Sequence, residues 1–169
     1  MRNLKFSNLT IKDKSTILKW RNSKHVSQFL MKKKITLDEH NEWFKEKLKK
    51  KSSFAWVINF NKEKIGLVQI ENLKTKYCNA GFYVAKKKYS YLTFLIINLL
   101  HYKIFYEYEF RVIHSYINIK NEKIRKLNRM CGYEENKKLS KNFVLTRLTY
   151  LKWIKSLGHK YLKGNYGDI

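Results

Sequence analysis

Three strand patterns in a row, followed directly by an apolar helix pattern, constrain the fold of this chain more than any other feature. Large apolar side chains alternate along Phe54–Phe60, which places them on one face of a strand. A turn at 61–64 and a second apolar strand at 65–71 complete a β-hairpin. Tyr77–Val84 has the pattern of a third strand, and from about Tyr91 the apolar spacing becomes helical. A helix that packs on a sheet is therefore predicted.

Helix and strand signals continue on both sides of this centre. A short strand at 4–9 precedes Asp13, which is placed to cap a helix that runs to Asn22. Thr36 and Glu39 form a capping box, and the helix behind it extends to about Lys50. A strand at 112–118, a helix at 122–131 and two short strands near 134 and at 143–151 follow. The predicted order is β, α, α, β, β, β, α, β, α, β, β.

The size of the chain fits one domain. Its 169 residues, 44% of them apolar, can bury one core, so we expect a domain at 1–153 and a short basic tail at 154–169. The longest apolar run, at 92–100, is shorter than the roughly 18 residues that cross a bilayer. No secretory signal pattern is visible at the start, so we expect a cytoplasmic protein without a membrane segment.

The formal net charge of +24 would ordinarily suggest a nucleic-acid partner. The cations are 31 Lys and only 6 Arg, and the Lys residues are scattered along the chain. Nucleic-acid interfaces rely on Arg for bidentate contacts and concentrate charge on one face. A solvated Lys-rich surface is therefore favoured over a nucleic-acid patch, although the positive field still suits a small polyphosphate ligand.

No metal centre or catalytic triad is indicated. Cys78 and Cys131 lack both a C-x-x-C spacing and a paired His, so we expect two small core residues. No paired carboxylates or Ser-His-Asp arrangement stands out, and four of the five His residues are isolated: His25, His101, His114 and His159.

Several short strings resemble the GCN5-related N-acetyltransferase (GNAT) superfamily in their order and spacing. They are Arg2-Asn3-Leu4, Lys19-Trp20-Arg21-Asn22, Ile35-Thr36, Glu39-His40, Trp43-Phe44, Ile65-Gly66, Gly81-Phe82-Tyr83-Val84, and Asn121 followed by Gly132-Tyr133. The resemblance implies an α/β fold with a mixed, mostly antiparallel sheet of six to seven strands and about four helices. The most similar branch transfers acetyl from acetyl-CoA to the amino group of a UDP-linked amino sugar in pseudaminic-acid-type glycan synthesis.

For the cofactor, the resemblance implies two groups of contacts. The backbone of Phe82, Tyr83 and Val84 would hold the pantetheine arm and polarise the thioester carbonyl. The pyrophosphate would lie at the loop before the third main helix, and the further cofactor contacts would be Lys88, Ser90, Tyr91, Leu92, Thr93 and Asn121.

This loop departs from the family pattern, because Ser90 and Leu92 stand where relatives have glycine. In a left-handed turn, a residue with a Cβ costs roughly 1 to 2 kcal/mol, so Leu92→Gly would then tighten cofactor binding. Ser90 as a helix cap and the positive charge of 86–88 would still favour an anion. Two interpretations of this loop therefore remain: it still binds coenzyme A, or it is a Lys-rich turn that has lost the cofactor.

The acid and base positions also differ from the family pattern. Asn128 stands where many relatives have a Tyr that protonates the departing thiolate, and an amide cannot supply that proton. A buried, hydrogen-bonded amide is the alternative role of Asn128. Tyr133 or water could replace the acid, and Glu71 is a candidate base.

For the acceptor, the resemblance implies a pocket under the first two helices. Arg21 and His40 would be its polar groups, Leu30, Met31 and Trp43 would pack on the base or sugar, and Glu71, Asn72 and Tyr83 would lie at strand ends. His40 and Trp43 share a helical face, and a guanidinium can fork onto a diphosphate. A core His, a core Trp and an Arg that neutralises a helix end are the alternatives.

Three other functions remain alternatives to the acetylation of a nucleotide sugar. The same scaffold could acetylate a protein N-terminus or a small amine. A GNAT-like shell could bind a nucleotide sugar or a protein partner without catalysis, and a basic nucleic-acid binder is the third alternative. A homodimer is compatible with each of them.

Overall fold

The computed structural model describes residues 3–49, 53–73 and 76–166, with the side chain of Tyr166 left out. Seven strands form one sheet in the order β1-β2-β3-β4-β5-β7-β6, mostly antiparallel, as the family resemblance implied. The strands are β1 Leu4–Asn8, β2 Phe54–Phe60, β3 Glu63–Glu71, β4 Tyr77–Val84, β5 Val112–Asn118, β6 Glu134–Lys138 and β7 Phe143–Thr149. The helices are α1 Lys14–Asn22, α2 Lys24–Ser27, α3 Leu37–Lys49, α4 Thr93–Tyr102, α5 Glu122–Met130, α6 Tyr150–Ile154 and α7 Leu157–Tyr166. The expected end of the third helix, at Lys50, lies outside the described residues.

The chain divides into two compact units. The first comprises residues 1–73 and 80–90, and the second comprises residues 74–79 and 91–169. The first unit therefore contains β1 to β3, α1 to α3 and the last part of β4. The second contains the start of β4, strands β5 to β7 and helices α4 to α7.

In the first unit, one of the two helix caps predicted from the sequence is formed. The backbone N–H of Thr36 donates to Glu39 Oε2 at 2.9 Å and the N–H of Glu39 donates to Thr36 Oγ1 at 3.2 Å, so the predicted capping box is confirmed. Asp13 holds the N-cap position of α1, but its carboxylate accepts from Thr10 and from Lys64 rather than capping the helix.

The predicted hairpin is confirmed, with a tighter turn than the sequence indicated. Only Asn61 and Lys62 separate β2 from β3, and both have positive φ angles, 49° and 67°. Such angles match the right-handed twist of the flanking strands. Behind the hairpin, α1 and α3 pack on an apolar cluster of this unit: Leu9, Ile17, Phe44, Ala55, Val57 and Leu67.

Gly66 lets β3 and β4 approach each other closely. A Cβ at this position would lie 2.2 Å from the carbonyl oxygen of Tyr83 and 3.1 Å from Val84 Cα. Both contacts are with backbone, which cannot move aside as a flexible side chain would. The glycine therefore fixes the course of β4 past Tyr83, a residue of the candidate site.

In the second unit, β4 and β5 pair in parallel over a short ladder. It joins Tyr77–Asn79 to 112–114, and it stops before either strand ends. Helix α4 runs into a π-helical turn at Lys103–Glu107, and its Leu95, Ile96 and Leu100 are buried. Cys78 and Cys131 are free, buried thiols, as predicted.

The segment expected as a basic tail is helical instead. Helix α7 occupies Leu157–Tyr166, and its Leu162 is buried in the second unit. Gly158 allows α7 to pack closely on Asn98 of α4.

The described residues form neither a membrane-spanning helix nor a metal-ligand cluster. None of their helices is both long and apolar enough to cross a membrane. They also contain no cluster of His, Cys, Asp and Glu side chains that could hold a metal ion.

Candidate active site

Two buried polar atoms without partners mark the predicted acceptor region of the first unit. Arg21, near the end of α1, donates from Nη2 to the Lys32 carbonyl at 2.5 Å, while its buried Nη1 has no hydrogen-bond partner among the described residues. The hydroxyl of Tyr83 on β4 is likewise buried and unpaired there. Burial raises the pKa of Tyr83, and the positive charge of Arg21 opposes that rise. Burial lowers the pKa of Arg21.

His40 and Trp43 form one aromatic stack on α3. Their ring centroids are 5.6 Å apart with an interplanar angle of 20°. His40 is buried, and its Nε2 lies 2.8 Å from the Lys14 carbonyl oxygen, so the residue belongs to the core on that side. Its Nδ1 is buried without a partner among the described residues, and burial lowers its pKa. Trp43 packs at the edge of the same apolar cluster as Tyr83.

The other predicted acceptor residues are less enclosed. Met31 is 58% exposed, Leu30 is half-buried, and Asn72 is exposed with a φ of 50° just beyond the end of β3. Glu71, the candidate base, accepts a hydrogen bond at 2.6 Å from Lys47, whose side chain is 1% exposed. The structure therefore gives the Glu71 carboxylate a fixed cationic partner that the sequence did not indicate.

The predicted pyrophosphate loop is a right-handed 3₁₀ turn at Lys87–Leu92. Among described residues other than glycine, positive φ angles occur at Asn61, Lys62, Asn72 and Glu109, none of them in this turn. The left-handed geometry considered from the missing glycines is therefore wrong, and Ser90 and Leu92 carry no strain of that kind.

The expected cap of the following helix is also corrected. Leu92 rather than Ser90 holds the N-cap position of α4, and no side chain caps it. The Leu92 side chain is buried, so only its backbone could face an anion. Tyr91, in contrast, is 68% exposed. Uncapped N–H groups at the start of a ten-residue helix attract anions.

One carboxylate organises the start of this turn. Glu63 on β3 pairs with Lys86 at 2.5 Å and with Lys88 at 3.2 Å, and it accepts from the Tyr89 hydroxyl. The Lys86 contact first, and then the Tyr89 hydroxyl, lower the pKa of Glu63 to about 2. The turn is therefore fixed to β3 by three side chains.

Comparison with protein families matches residues 3–134 to the acetyltransferase (GNAT) domain. The chain belongs to the GNAT acetyltransferase family. It is 30% identical over 136 residues to acetyltransferase PseH of Campylobacter jejuni (serotype O:23/36, strain 81-176). The aligned region covers 78% of this chain and 85% of that protein.

Two solved GNAT structures illustrate the shared fold. The spermidine N-acetyltransferase of Vibrio cholerae in complex with CoA and spermine has a TM-score of 0.81 at 15% identity, covering 91% of this chain and 99% of that one. The Campylobacter jejuni N-acetyltransferase PseH in complex with acetyl coenzyme A has a TM-score of 0.69 at 21% identity, covering 87% and 99%. The chain is thus an acyltransferase of the GNAT type, with acetyl-CoA as its acetyl donor.

The residue expected at the general-acid position is buried. Asn128 lies on α5, and its backbone carbonyl accepts from the backbone N–H groups of Cys131 and Tyr133. The Tyr133 hydroxyl lies 3.0 Å from His101 Nε2 in the core of the second unit, and burial raises its pKa well above the usual value. Tyr133 is therefore committed to the core and is not a substitute acid. Asn121 caps α5, with its Oδ1 accepting from the Ile124 N–H at 3.4 Å.

Three residues of this GNAT enzyme were not found by sequence reasoning. Glu63 and Lys47 have partners about 24 residues away, and no local spacing indicates such pairs. His25, which looked isolated, has its Nε2 3.2 Å from the carbonyl oxygen of Val84 at the end of β4. A weak signal existed for Lys47 alone, because it lies one helical turn beyond Trp43 and Phe44 on the apolar side of α3.

Proposed function

We propose that the acceptor is the amino group of a UDP-linked amino sugar, in a cytoplasmic pathway of pseudaminic-acid-type surface-glycan synthesis. The observation that carries this proposal is the buried Arg21 Nη1, which has no partner among the described residues, beside the unpaired Tyr83 hydroxyl. A guanidinium so placed suits a phosphate oxygen, because charge-assisted bidentate bonds are the strongest that Arg makes. The 30% identity to PseH supports the same assignment.

The ring stack would complete the acceptor site. Trp43 is half-buried and lies parallel to His40, so it offers an aromatic plane of the kind that packs on a base or a sugar. Leu30 and Met31 would pack on the same group. The unpaired Nδ1 of His40 would form a hydrogen bond with the acceptor, while the contact between its Nε2 and the Lys14 carbonyl keeps the ring in place.

The charges of the first unit argue against a polyamine acceptor. A polycation needs several free carboxylates, but here Asp13, Glu39, Glu63 and Glu71 each have a Lys partner within 4.0 Å, which leaves mainly the exposed Asp38 and Glu46 of α3. The chain also carries a formal net charge of +24, which repels a polycation and attracts a nucleotide diphosphate. The spermidine acetyltransferase shares the fold at 15% identity, a level that says nothing about the acceptor.

Each unit offers contacts for acetyl-CoA. In the first unit, the backbone of Phe82, Tyr83 and Val84 would hold the pantetheine arm, and the tethered Lys88 would attract the pyrophosphate. In the second unit, the uncapped start of α4 behind the exposed Tyr91 would donate N–H groups to an anion. Ser90, Thr93 and Asn121 would complete these contacts. When bound, acetyl-CoA supplies an activated thioester whose acetyl group moves to the attacking amine.

The chain's own groups then have to move one proton. The amine nitrogen forms the new bond to the acetyl carbon, the carbon–sulfur bond breaks, and the amine proton leaves to water or to Glu71. Lys47 keeps Glu71 in place for this role by its bond to Oε1. Asn128 cannot donate a proton, so we propose that the thiolate departs without a protein acid.

Removing the Arg21 guanidinium tests the acceptor assignment. In Arg21→Gln, kcat/KM for the UDP-amino sugar should fall by about tenfold to a hundredfold, because a charge-assisted bond is worth roughly 1.5 to 3 kcal/mol. The KM for acetyl-CoA should not change. Lys19→Gln, which removes an exposed cation from the same helix, is the control and should behave as the wild type. An equal loss in both variants, or a parallel loss of acetyl-CoA binding, would show that Arg21 does not contact the acceptor.

A further inference from the structure

A cavity of about 830 Å³ opens on the second unit, and arginine dominates its lining. Arg125, Arg129 and Arg147 line it, which is half of the six arginines in a chain with 31 lysines. Two carboxylates, Glu134 and Glu135, line it as well. A second cavity of about 380 Å³ shares Arg129 and Glu134 with the first and adds two further cations, Lys152 and Lys155. The guanidinium groups are therefore concentrated where a ligand-sized space exists.

The two carboxylates do not neutralise these cations evenly. Glu135 forms a bidentate pair with Arg125, at 2.8 Å to Nε and 3.0 Å to Nη2, and lies 3.8 Å from Arg129 Nη1. Glu134 is paired with Lys152. Arg147 stands opposite Glu134 in the β6–β7 ladder, yet no carboxylate of the described chain lies within 4.0 Å of its guanidinium.

The positive charge of Arg147 also affects His114, its cross-strand neighbour on β5. His114 pairs with Arg147 between β5 and β7, so the two side chains share one face of the sheet. Burial first, and then the positive charge of Arg147, lower the pKa of His114. The His114 ring therefore lies within electrostatic range of the Arg147 guanidinium and can report on an anion bound there.

We propose that this cavity is a binding site for a phosphate-bearing small anion, held by Arg147 and Arg129, with Arg125 and Glu135 as its rigid wall. Planar guanidinium groups match phosphate oxygens in geometry as well as charge. The volume is that of a small-molecule site. The proposed site lies on the exposed side of α5: Arg129 is exposed, whereas the neighbouring Asn128 is buried, and the cap residue Asn121 lies about 12 Å away along the helix axis.

Calorimetric titration with inorganic pyrophosphate tests the proposal. All titrations use the Arg21→Gln background saturated with coenzyme A, so that the phosphate sites of the cofactor are filled and the proposed diphosphate contact of the acceptor site is removed. Saturable binding of one equivalent is expected, about tenfold weaker in Arg147→Gln and in Arg129→Gln, because each variant removes one charge-assisted contact. Arg147→Lys keeps the positive charge but loses the bidentate geometry of the guanidinium, so it should bind pyrophosphate with intermediate affinity. Arg111→Gln is the control, since Arg111 is an exposed arginine of the same unit that packs on Tyr150 and does not line the cavity.

An NMR titration of the His114 ring gives the second readout. Pyrophosphate should raise the pKa of His114, because the bound anion offsets the Arg147 charge, and it should have no such effect in Arg147→Gln. The absence of saturable binding at about 10 mM pyrophosphate would overturn the proposal. Equal binding by Arg147→Gln and Arg111→Gln, or an unmoved His114 signal during binding, would overturn it as well. Circular dichroism of each variant shows whether it is folded. If Arg147→Gln does not fold, the pyrophosphate affinity of Arg129→Gln tests the proposal instead.

Discussion

Arg21 and Tyr83 show how single buried atoms carry the functional assignment. A buried donor or acceptor without a partner costs about 1 to 3 kcal/mol, so a folded chain retains it only where something offsets that cost. Arg21 Nη1 and the Tyr83 hydroxyl are two such atoms in one unit. A ligand with phosphate or hydroxyl oxygens would supply both partners at once, which links the unsatisfied atoms of the fold to acceptor binding.

His101 carries a prediction about stability and pH. It is completely buried, and burial lowers its pKa from the ordinary 6.5 to about 3. The unfolded chain therefore takes up a proton that the folded chain refuses, so stability is full above pH 6.5 and falls as the pH drops toward 3. This group alone should contribute a slope of about 1.4 kcal/mol per pH unit within that window.

Urea unfolding between pH 7.5 and 4 measures that slope. His101→Gln should lose this part of the slope, whereas Tyr133→Phe, which removes the hydrogen-bonding hydroxyl and keeps the imidazole, should retain it. The other buried or half-buried His residues titrate alike in all three proteins, so the difference isolates His101. Identical pH profiles of His101→Gln and the wild type would refute the assignment.

At the scale of elements, the 3₁₀ turn before α4 reverses the expectation for Leu92→Gly. That substitution would relieve strain only in a left-handed turn, and the turn is right-handed with the Leu92 side chain in the core. Leu92→Gly should therefore lower the free energy of unfolding by about 2 to 5 kcal/mol without tightening acetyl-CoA binding. Ser90→Gly, at the other family glycine position, should cost much less. Urea unfolding and an acetyl-CoA titration of both variants provide the check, and tighter binding by Leu92→Gly would contradict the turn geometry.

Helix α7 contains a matched pair of glycines for testing its packing. A Cβ at Gly158 would lie 2.2 Å from Asn98 Oδ1, the atom that accepts from Trp153 Nε1 at 3.1 Å. A Cβ at Gly164 would meet nothing within 4 Å. Gly158→Ala should therefore lower the free energy of unfolding by about 1 to 3 kcal/mol through overpacking.

Gly164→Ala should instead raise the free energy of unfolding by up to about 1 kcal/mol, because alanine favours the helix. Thermal unfolding of the two variants in parallel is the measurement. Similar melting temperatures for both would mean that α7 does not pack on Asn98 in solution.

At the scale of the whole molecule, the boundaries set by local chemistry were predictable, and pairings over long sequence distances were not. The capping box at Thr36 and the alternation of β2 depend on neighbouring residues, so the sequence alone indicates them. The Lys47–Glu71 and Glu63–Lys86 pairs depend on how strands and helices meet. Helix α7 was not predicted: Gly158 and Gly164 lie within it and disfavour a helix locally, and its packing depends on the fit of Gly158 against Asn98.

The candidate site could likewise be predicted only in part from the sequence. The proposed acceptor residues Arg21, His40, Trp43 and Tyr83 depend on the family resemblance, since their residue types alone fit a core equally well. The unpaired buried atoms of Arg21, His40 and Tyr83 are a property of the folded unit and have no signature in the sequence. Asn128 and Tyr133 were found as positions, but only the structure shows that the Tyr133 hydroxyl is committed to His101.

A competition assay tests the central claim, that a cationic site selects an anionic, nucleotide-linked amine as the acceptor. The wild-type enzyme receives acetyl-CoA together with equal concentrations of a UDP-linked 4-amino sugar and spermidine, and mass spectrometry quantifies the two acetylated products. The structure predicts that the acetylated nucleotide sugar dominates by at least about a hundredfold, as a missing charge-assisted contact and like-charge repulsion both act against spermidine. Equal products, or acetylspermidine as the main product, would contradict the account.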